Sequence, residues 1–353
     1  MEPVISADHG SSSTATASWW WLPGRLWLRA QAITWRQLSS LGFVLHNRAD
    51  PPATHPSITE WIDVGDEPSS SKGSIKLDIW YPDAIDSASS QAPCVISLHG
   101  GGFTLGAGTD DTRWANAVCS QIGAVVIAVN YRLAPEFPFP IGVEDCADAV
   151  QHIWDNAESY QIDKNKIILS GFSAGGNLAF ASWLLVRQRQ RDSYPNTTGY
   201  SPHHGSNPSP SIRGIVAFYP LLDWSTSRAI KTAKMADPSQ GLSPLLTTLF
   251  DRSYRDPGAD PKNPLMSPIY MSEEDLRALP PVHLCACELD MLLDEAERFR
   301  DRADASLGKG RVTWRLVPGA RHGFDKPPPV VPTLRAMEEY EAGIGSIRTW
   351  LGH

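Results

Sequence analysis

Between residues 74 and 81, Ile75, Leu77 and Ile79 alternate with Lys76, Asp78 and Trp80, a period of two that predicts a half-buried strand. Apolar runs at 94–98, 124–129, 167–169, 214–218, 282–286 and 312–317 predict further strands. Helical candidates separate most of them, at 112–122, 143–157, 174–187, 292–307 and 332–351, and in the fourth Leu292, Ala296, Phe299, Ala303 and Leu307 form one apolar stripe. Strands alternating with helices predict an α/β fold whose mostly parallel central sheet is covered by helices on both faces. No internal repeat is present.

Upstream of the first strand, Ala30, Ile33, Leu41 and Leu45 recur at helical spacing from Leu26 onward, with Arg29, Arg36 and Gln37 interspersed, which predicts an amphipathic helix. Five of the 13 tryptophans fall between Trp19 and Trp35 and point to a hydrophobic partner surface. Four roles are open to it: packing on its own domain, a lid over a pocket, a shallow contact with a membrane surface, or a homodimer contact. Pro51, Pro52 and Pro56 end the helix. Residues 1–18, rich in Ser, Thr and Ala, are expected to be a disordered tail. Two stretches break the alternation. Residues 187–211 read as a polar surface loop, with His203 and His204 solvated rather than metal-bound, and the proline-rich 224–270 reads as an insertion above the sheet and a second covering for a pocket.

Composition narrows the partners. The chain has 353 residues, 42% hydrophobic and 20% charged, which is ordinary for a globular protein. A formal charge of -8 with no basic cluster argues against a nucleic-acid partner. The five cysteines, Cys94, Cys119, Cys146, Cys285 and Cys287, lie within apolar patterns and read as buried thiols of a reducing compartment. Trp19 to Leu22 is too short for a membrane span, and Glu2 and Asp8 stand where a secretory leader carries basic residues. A cytoplasmic protein without a transmembrane segment is therefore expected, and the sequon at Asn196 carries little weight.

The candidate chemistry centres on 166–182, KIILSGFSAGGNLAFAS, where a strand pattern runs through Gly171-Phe172-Ser173-Ala174-Gly175 into a helical one. G-x-S-x-G in that context places Ser173 on a strained turn with its hydroxyl exposed, beside the free N–H groups of a helix start. A serine nucleophile also needs a base, an orienting acid and donors for the oxyanion. Following the 94–98 strand, His99-Gly100-Gly101-Gly102-Phe103 offers unshielded amides that can act with that of Ala174, while His99 itself reads as structural. Asp290 follows the 282–286 strand as the candidate acid, with Glu288, Asp294 and Glu295 as competitors. His322, in a glycine-flanked loop after 312–317, is the candidate base, and the order Ser, Asp, His fits a hydrolase built on a parallel sheet.

HGGGF at 99–103, YRLAPE at 131–136, GFSAGG at 171–176, ELDMLLDE at 288–295 and HGF at 322–324 occur in order. Through them the chain from about 74 to 353 resembles the hormone-sensitive-lipase-like branch of the α/β-hydrolase family, with its carboxylesterases and arylacetamide-deacetylase-like enzymes. The resemblance implies Ser173 as nucleophile, Asp290 as acid, His322 as base, and Gly101, Gly102 and Ala174 as oxyanion donors. It makes 131–136 and Asp145 scaffold, and 19–60 a helical cap segment ahead of a catalytic domain at 61–353 to which 224–270 adds further cap. Phe172 departs from the acidic or small polar residue that many relatives carry there. The implied activity is hydrolysis of a small-molecule carboxylic ester through an acyl-enzyme, with no metal or organic cofactor. Lactones, amides, thioesters and acyl transfer use the same machinery, and some relatives have become non-catalytic ligand receptors, which commonly lose the histidine present here as His322. Phe103, Phe172 and Trp224 are the candidate pocket residues, for an apolar or aromatic acyl group.

Overall fold

The computed structural model describes residues 23–65, 70–83, 91–193, 210–308, 310–326 and 334–352. The expectations for 1–18, Trp19 to Leu22, Asn196, His203 and His204 fall outside them. Eight strands form one sheet: β1 (Ile58–Val64), β2 (Gly73–Trp80), β3 (Ala92–Leu98), β4 (Val125–Asn130), β5 (Ile162–Phe172), β6 (Ile212–Phe218), β7 (Val282–Leu289) and β8 (Val312–Arg321), in the order β1-β2-β4-β3-β5-β6-β7-β8. The pairs β1–β2 and β2–β4 are antiparallel, and every pair from β4 to β8 is parallel.

The helices explain why the central strands read as unbroken apolar runs. On one face α3 (Ile141–Asp155), α4 (Ala174–Ser193) and α8 (Leu293–Leu307) meet Ile96, Ile127 and Leu169, and on the other α2 (Thr112–Ile122) and α9 (Leu334–Leu351) meet Val95, Val126 and Ile168. Successive side chains point to opposite faces, so a strand buried on both must be apolar at every position. Trp114 of α2 shows how a polar tip is accommodated at this depth. Its indole N–H donates to Ser170 Oγ at 3.0 Å while its ring meets Phe172, Phe218 and Tyr340 edge-on.

Several expected boundaries move. Helix α4 continues to Ser193, seven residues into the expected loop, because Arg187, Arg189 and Arg191 pair with Asp148, Glu274 and Asp275. Strand β8 continues to Arg321, since a register shift past Cys287 lets Leu289 pair with Arg321 and Gly319 N–H donates to Glu288 Oε2 at 2.6 Å. Strand β1 starts at Ile58, opposite Ile79, so the sheet begins ahead of residue 61. The stretch 224–270 contains α5 (Arg228–Ala233) and α6 (Pro244–Tyr254), followed by α7 (Glu273–Ala278). Helix α1 (Pro23–Ala49) packs against α6, and Ala30, Ile33, Leu41 and Leu45, the apolar positions that predicted an amphipathic helix, are exposed. Its inner side instead carries Ala32, Arg36 and Phe43.

His283 of β7 is buried, with Nδ1 2.8 Å from Ser346 Oγ and Nε2 without a partner. Burial lowers its pKa to about 4, so the folded state resists a proton that the unfolded chain takes up near 6.5. Stability from this group is therefore present above pH 6.5 and is lost as pH falls toward 4. We expect His283→Gln to flatten the acid limb: between pH 7 and 4 the wild type should lose on the order of 3 kcal/mol more than the variant, read by urea unfolding.

Candidate active site

Ser173 sits at the hinge between β5 and α4 with φ at 53°, in the left-handed region that a side chain enters at a cost. Two contacts hold it there: its N–H donates to Phe218 O at 2.9 Å, and Gly175 lets the first turn of α4 pass the end of β3. A Cβ on Gly175 would lie 1.8 Å from Leu98 O, so no other residue fits.

His322 directly follows β8, and Asp290 directly follows β7. Asp290 Oδ2 lies 2.6 Å from His322 Nδ1, and His322 Nε2 lies 2.7 Å from Ser173 Oγ. A carboxylate only accepts, so Nδ1 carries the proton, Nε2 accepts, and the serine hydroxyl donates. Leu292 N–H donates to the other carboxylate oxygen, Oδ1, at 3.1 Å. The three competing acids are engaged elsewhere: Glu288 with Gly319 N–H, Asp294 with Lys234 and Arg298, and buried Glu295 with Lys231 and Leu222 N–H.

The glycine loop after β3 runs alongside. A Cβ on Gly100 would stand 3.6 Å from Ser173 Cβ, and Gly101, Gly102 and Ala174 line the same cavity as Ser173. Gly102, at φ 60°, presses against α6 so closely that a Cβ would fall 2.3 Å from Phe250 Cγ. His99 is buried, stacked on Tyr131 at 4.3 Å with Nδ1 2.8 Å from Gly100 O. Burial holds its pKa at about 4, keeping the ring neutral. Below the loop, Arg132 forms a buried pair with Asp145 at 2.6 Å, and Glu136 accepts from Arg36 of α1 at 2.8 Å.

The chain matches a model of the alpha/beta hydrolase fold family over residues 95–326. It belongs to that family. Like the geometry, the match spans the glycine loop, the serine turn and the histidine loop, and it is consistent with the hormone-sensitive-lipase-like branch drawn from the motifs. This α/β-hydrolase is 30% identical over 234 residues to an alpha/beta hydrolase of Acanthamoeba polyphaga mimivirus, covering 66% of this chain and 61% of that one. It is 28% identical over 232 residues to an AB hydrolase superfamily protein of Schizosaccharomyces pombe, covering 65% and 62%. The match thus spans about three-fifths of the length of these curated relatives. Among solved structures, the Pyrobaculum calidifontis esterase superposes with a TM-score of 0.72 at 28% identity, covering 91% of this chain and 93% of that one.

The cavity of the α/β-hydrolase at Ser173 measures about 220 Å³. Phe103 and Trp224 line it, and Phe172 borders it while stacking on Phe218 beneath at 4.6 Å. Sequence reasoning missed Ser39 and Phe43 of α1, and Leu242, Leu246 and Phe250 on and beside α6. It also missed a charged wall made of Asp110, Asp111 and Lys326, the last of which lies two residues past the HGF motif. Lys326 Nζ donates to Asp111 at 2.7 Å and Asp325 at 3.1 Å, and stands 3.8 Å over the Phe172 ring. Asp325 accepts from the hydroxyls of Tyr219 and Tyr340, and the Tyr219 ring meets His322 edge-on at 4.9 Å. Burial raises Asp111 to about 6 against the pull of Lys326, and burial with the Asp111 charge raises Asp110 to about 7. For Asp325 burial pushes the other way but is outweighed by Lys326 and the two tyrosines, so it stays below the usual range. Removing the ammonium leaves two facing buried carboxylates, so Lys326→Met is expected to cost about 3–5 kcal/mol in urea unfolding. A loss within the range of an exposed ion pair would show that the three groups do not act as a unit.

Proposed function

We propose that the chain is a serine hydrolase that cleaves carboxylic esters through an acyl-enzyme. One observation carries the reading: Ser173, His322 and Asp290, from three separate strand ends, are joined by contacts of 2.7 and 2.6 Å in the order nucleophile, base and acid. The similar Pyrobaculum calidifontis protein, an esterase, adds support.

His322 takes the Ser173 proton as Oγ attacks the ester carbonyl, and Asp290 holds the ring in its tautomer and stabilises the imidazolium. The amides of Gly101, Gly102 and Ala174 receive the oxyanion, and the same imidazolium then protonates the departing alkoxide. Water, deprotonated by His322, attacks the acyl-serine, and collapse of the second tetrahedral species returns the acid and free Ser173. Phe103, Trp224 and Phe250 offer an apolar site for a small to medium acyl group, with Phe172 at its border and α1 and 224–270 as the cap. Five buried thiols fit a reducing, cytoplasmic setting, and among the described residues no helix is long and apolar enough to cross a membrane.

The test is turnover of a p-nitrophenyl acyl ester series by wild type and Ser173→Ala side by side. Wild type should hydrolyse short and medium chains fastest and the variant none, and comparable turnover by both overturns the assignment. Parallel lactone, amide and thioester substrates fix the bond class.

A further inference from the structure

The Ser173 cavity has a larger neighbour. A second cavity, of about 700 Å³, is lined by residues of α5 and α6, and Leu221, Trp224, Arg228 and Leu242 line both spaces. These four form the partition, and Trp224 is the largest of them. Its indole packs against Phe103 at 5.9 Å and Tyr254 at 5.3 Å, and the Arg228 guanidinium, held by Asp251 at 2.8 Å, stands 5.7 Å from its ring. Trp224 is 9% exposed, and its Nε1 has no hydrogen-bond partner among the described residues. Packing alone therefore fixes the ring, since the Trp224 hydrogen bond to Ser267 Oγ, at 2.7 Å, is made by the main-chain N–H. A smaller apolar side chain would open the partition without stranding a buried partner.

Size and chemistry say what the partition does. At about 220 Å³ the Ser173 cavity lies below the ~300–1,000 Å³ of ordinary ligand pockets, and joining it to its neighbour would bring it within that range. Ala229, Ala233, Pro238, Pro244 and Met291 give the second cavity apolar surface. The charges beside the partition are already matched, Arg228 by Asp251, Lys231 by Glu295 and Asp223 by Arg298, so a methylene chain entering there need break no ion pair. The charged wall decides which part of an ester points this way. Lys326 closes the turn that follows His322, its N–H donating to Gly323 O at 3.0 Å, which puts the charges on the side where the histidine protonates the departing alcohol. The apolar side, with Trp224, is left to the acyl group. We infer that Trp224 sets the acyl-chain length: its indole shuts the Ser173 cavity off from a space that can hold the distal methylenes of a longer chain. This deepens the esterase reading and rests on it.

The test is the ratio of kcat/KM for p-nitrophenyl decanoate to that for the butyrate, both below micellar concentration. Each methylene taken out of water is worth up to about fourfold, so Trp224→Ala should raise the ratio at least about tenfold over wild type. Trp224→Leu should raise it less, and carries the test should the alanine variant fail to fold by circular dichroism. Two further variants tie the gain to the second cavity. Ala233 and Thr248 are exposed residues that line it and not the Ser173 cavity. Adding Ala233→Trp, or separately Thr248→Trp, to Trp224→Ala should return the ratio toward wild type. An active wild type whose ratio the folded Trp224 variants leave unchanged overturns the inference alone, as does a gain that survives both added tryptophans. A gain confined to a matched series of alkyl acetates, in which only the alcohol lengthens, overturns the acyl assignment. A wild type silent toward every ester removes the esterase reading and this inference with it.

Discussion

Ser173→Ala is expected to lower kcat toward a p-nitrophenyl ester by about 10⁶-fold, leaving only what binding and the oxyanion donors supply. No neighbouring group can substitute for the lost hydroxyl. His322 Nε2 would face a methyl group, and His99, the other histidine near the glycine loop, is buried against Tyr131 with its ring nitrogen on Gly100 O. The fold should not register the change. The main-chain bonds that hold the turn run from Ser173 N–H to Phe218 O and from Asn177 N–H to Ser173 O, and alanine keeps both. Urea unfolding should therefore move by less than about 1 kcal/mol. A fluorophosphonate probe with intact-mass readout makes the comparison direct: one adduct on wild type and none on the variant. An adduct on the variant would place the nucleophile elsewhere.

Asp290→Asn is expected to lower kcat by about 10⁴-fold with little change in KM, and the structure says why so small a change costs so much. Leu292 N–H donates to Oδ1 at 3.1 Å, so in the variant the amide oxygen takes that position. The amide NH₂ then faces His322 Nδ1, where the carboxylate oxygen stood at 2.6 Å. Two donors cannot face each other, so the ring moves its proton to Nε2 and presents a donor to Ser173 Oγ. The base has been converted into an acid while every heavy atom stays in place. Pre-steady-state acylation is the measurement, because binding is untouched. A fall of less than tenfold would mean that another group orients His322.

These two expectations rest on residues named from the chain alone, and the way they were found explains what else was legible. Ser173 and the glycine loop announce themselves because each must solve a local backbone problem, a positive φ at Ser173 and at Gly102 and a close approach at Gly175, that few residues can meet. Asp290 was harder. Four acids lie within 288–295, and the motif singled it out where elementary chemistry left a choice. In the structure Glu288, Asp294 and Glu295 are each held by partners distant in sequence, such as Gly319, Lys234 and Lys231. Such pairings depend on which loops the fold brings together, and local sequence carries no trace of them.

The charged wall and the cap show the same division. Asp111 and Lys326 are separated by more than two hundred residues and meet only because the segments after the parallel strands β3 and β8 leave the sheet at the same, carboxyl-terminal end. Leu246 and Phe250 lie on a short helix with no motif, and become cavity walls only because that helix is laid over the glycine loop, with Phe250 against Gly102. Helix α1 is the sharpest case. Its periodicity was plain from Leu26 onward, yet the spacing of Ala30, Ile33, Leu41 and Leu45 says only that they share a face. Whether that face turns inward or outward is decided by Arg36 bonding to Thr104, Ala134 and Glu136 on the protein side. By itself, then, the sequence determined the α/β alternation, the two-sided burial of the central strands and the strained serine turn, because those follow from side-chain period and backbone sterics within a few residues. The tertiary structure alone decided which acid reaches His322, what walls the cavity and which way α1 faces, because those are contacts between segments far apart in the chain.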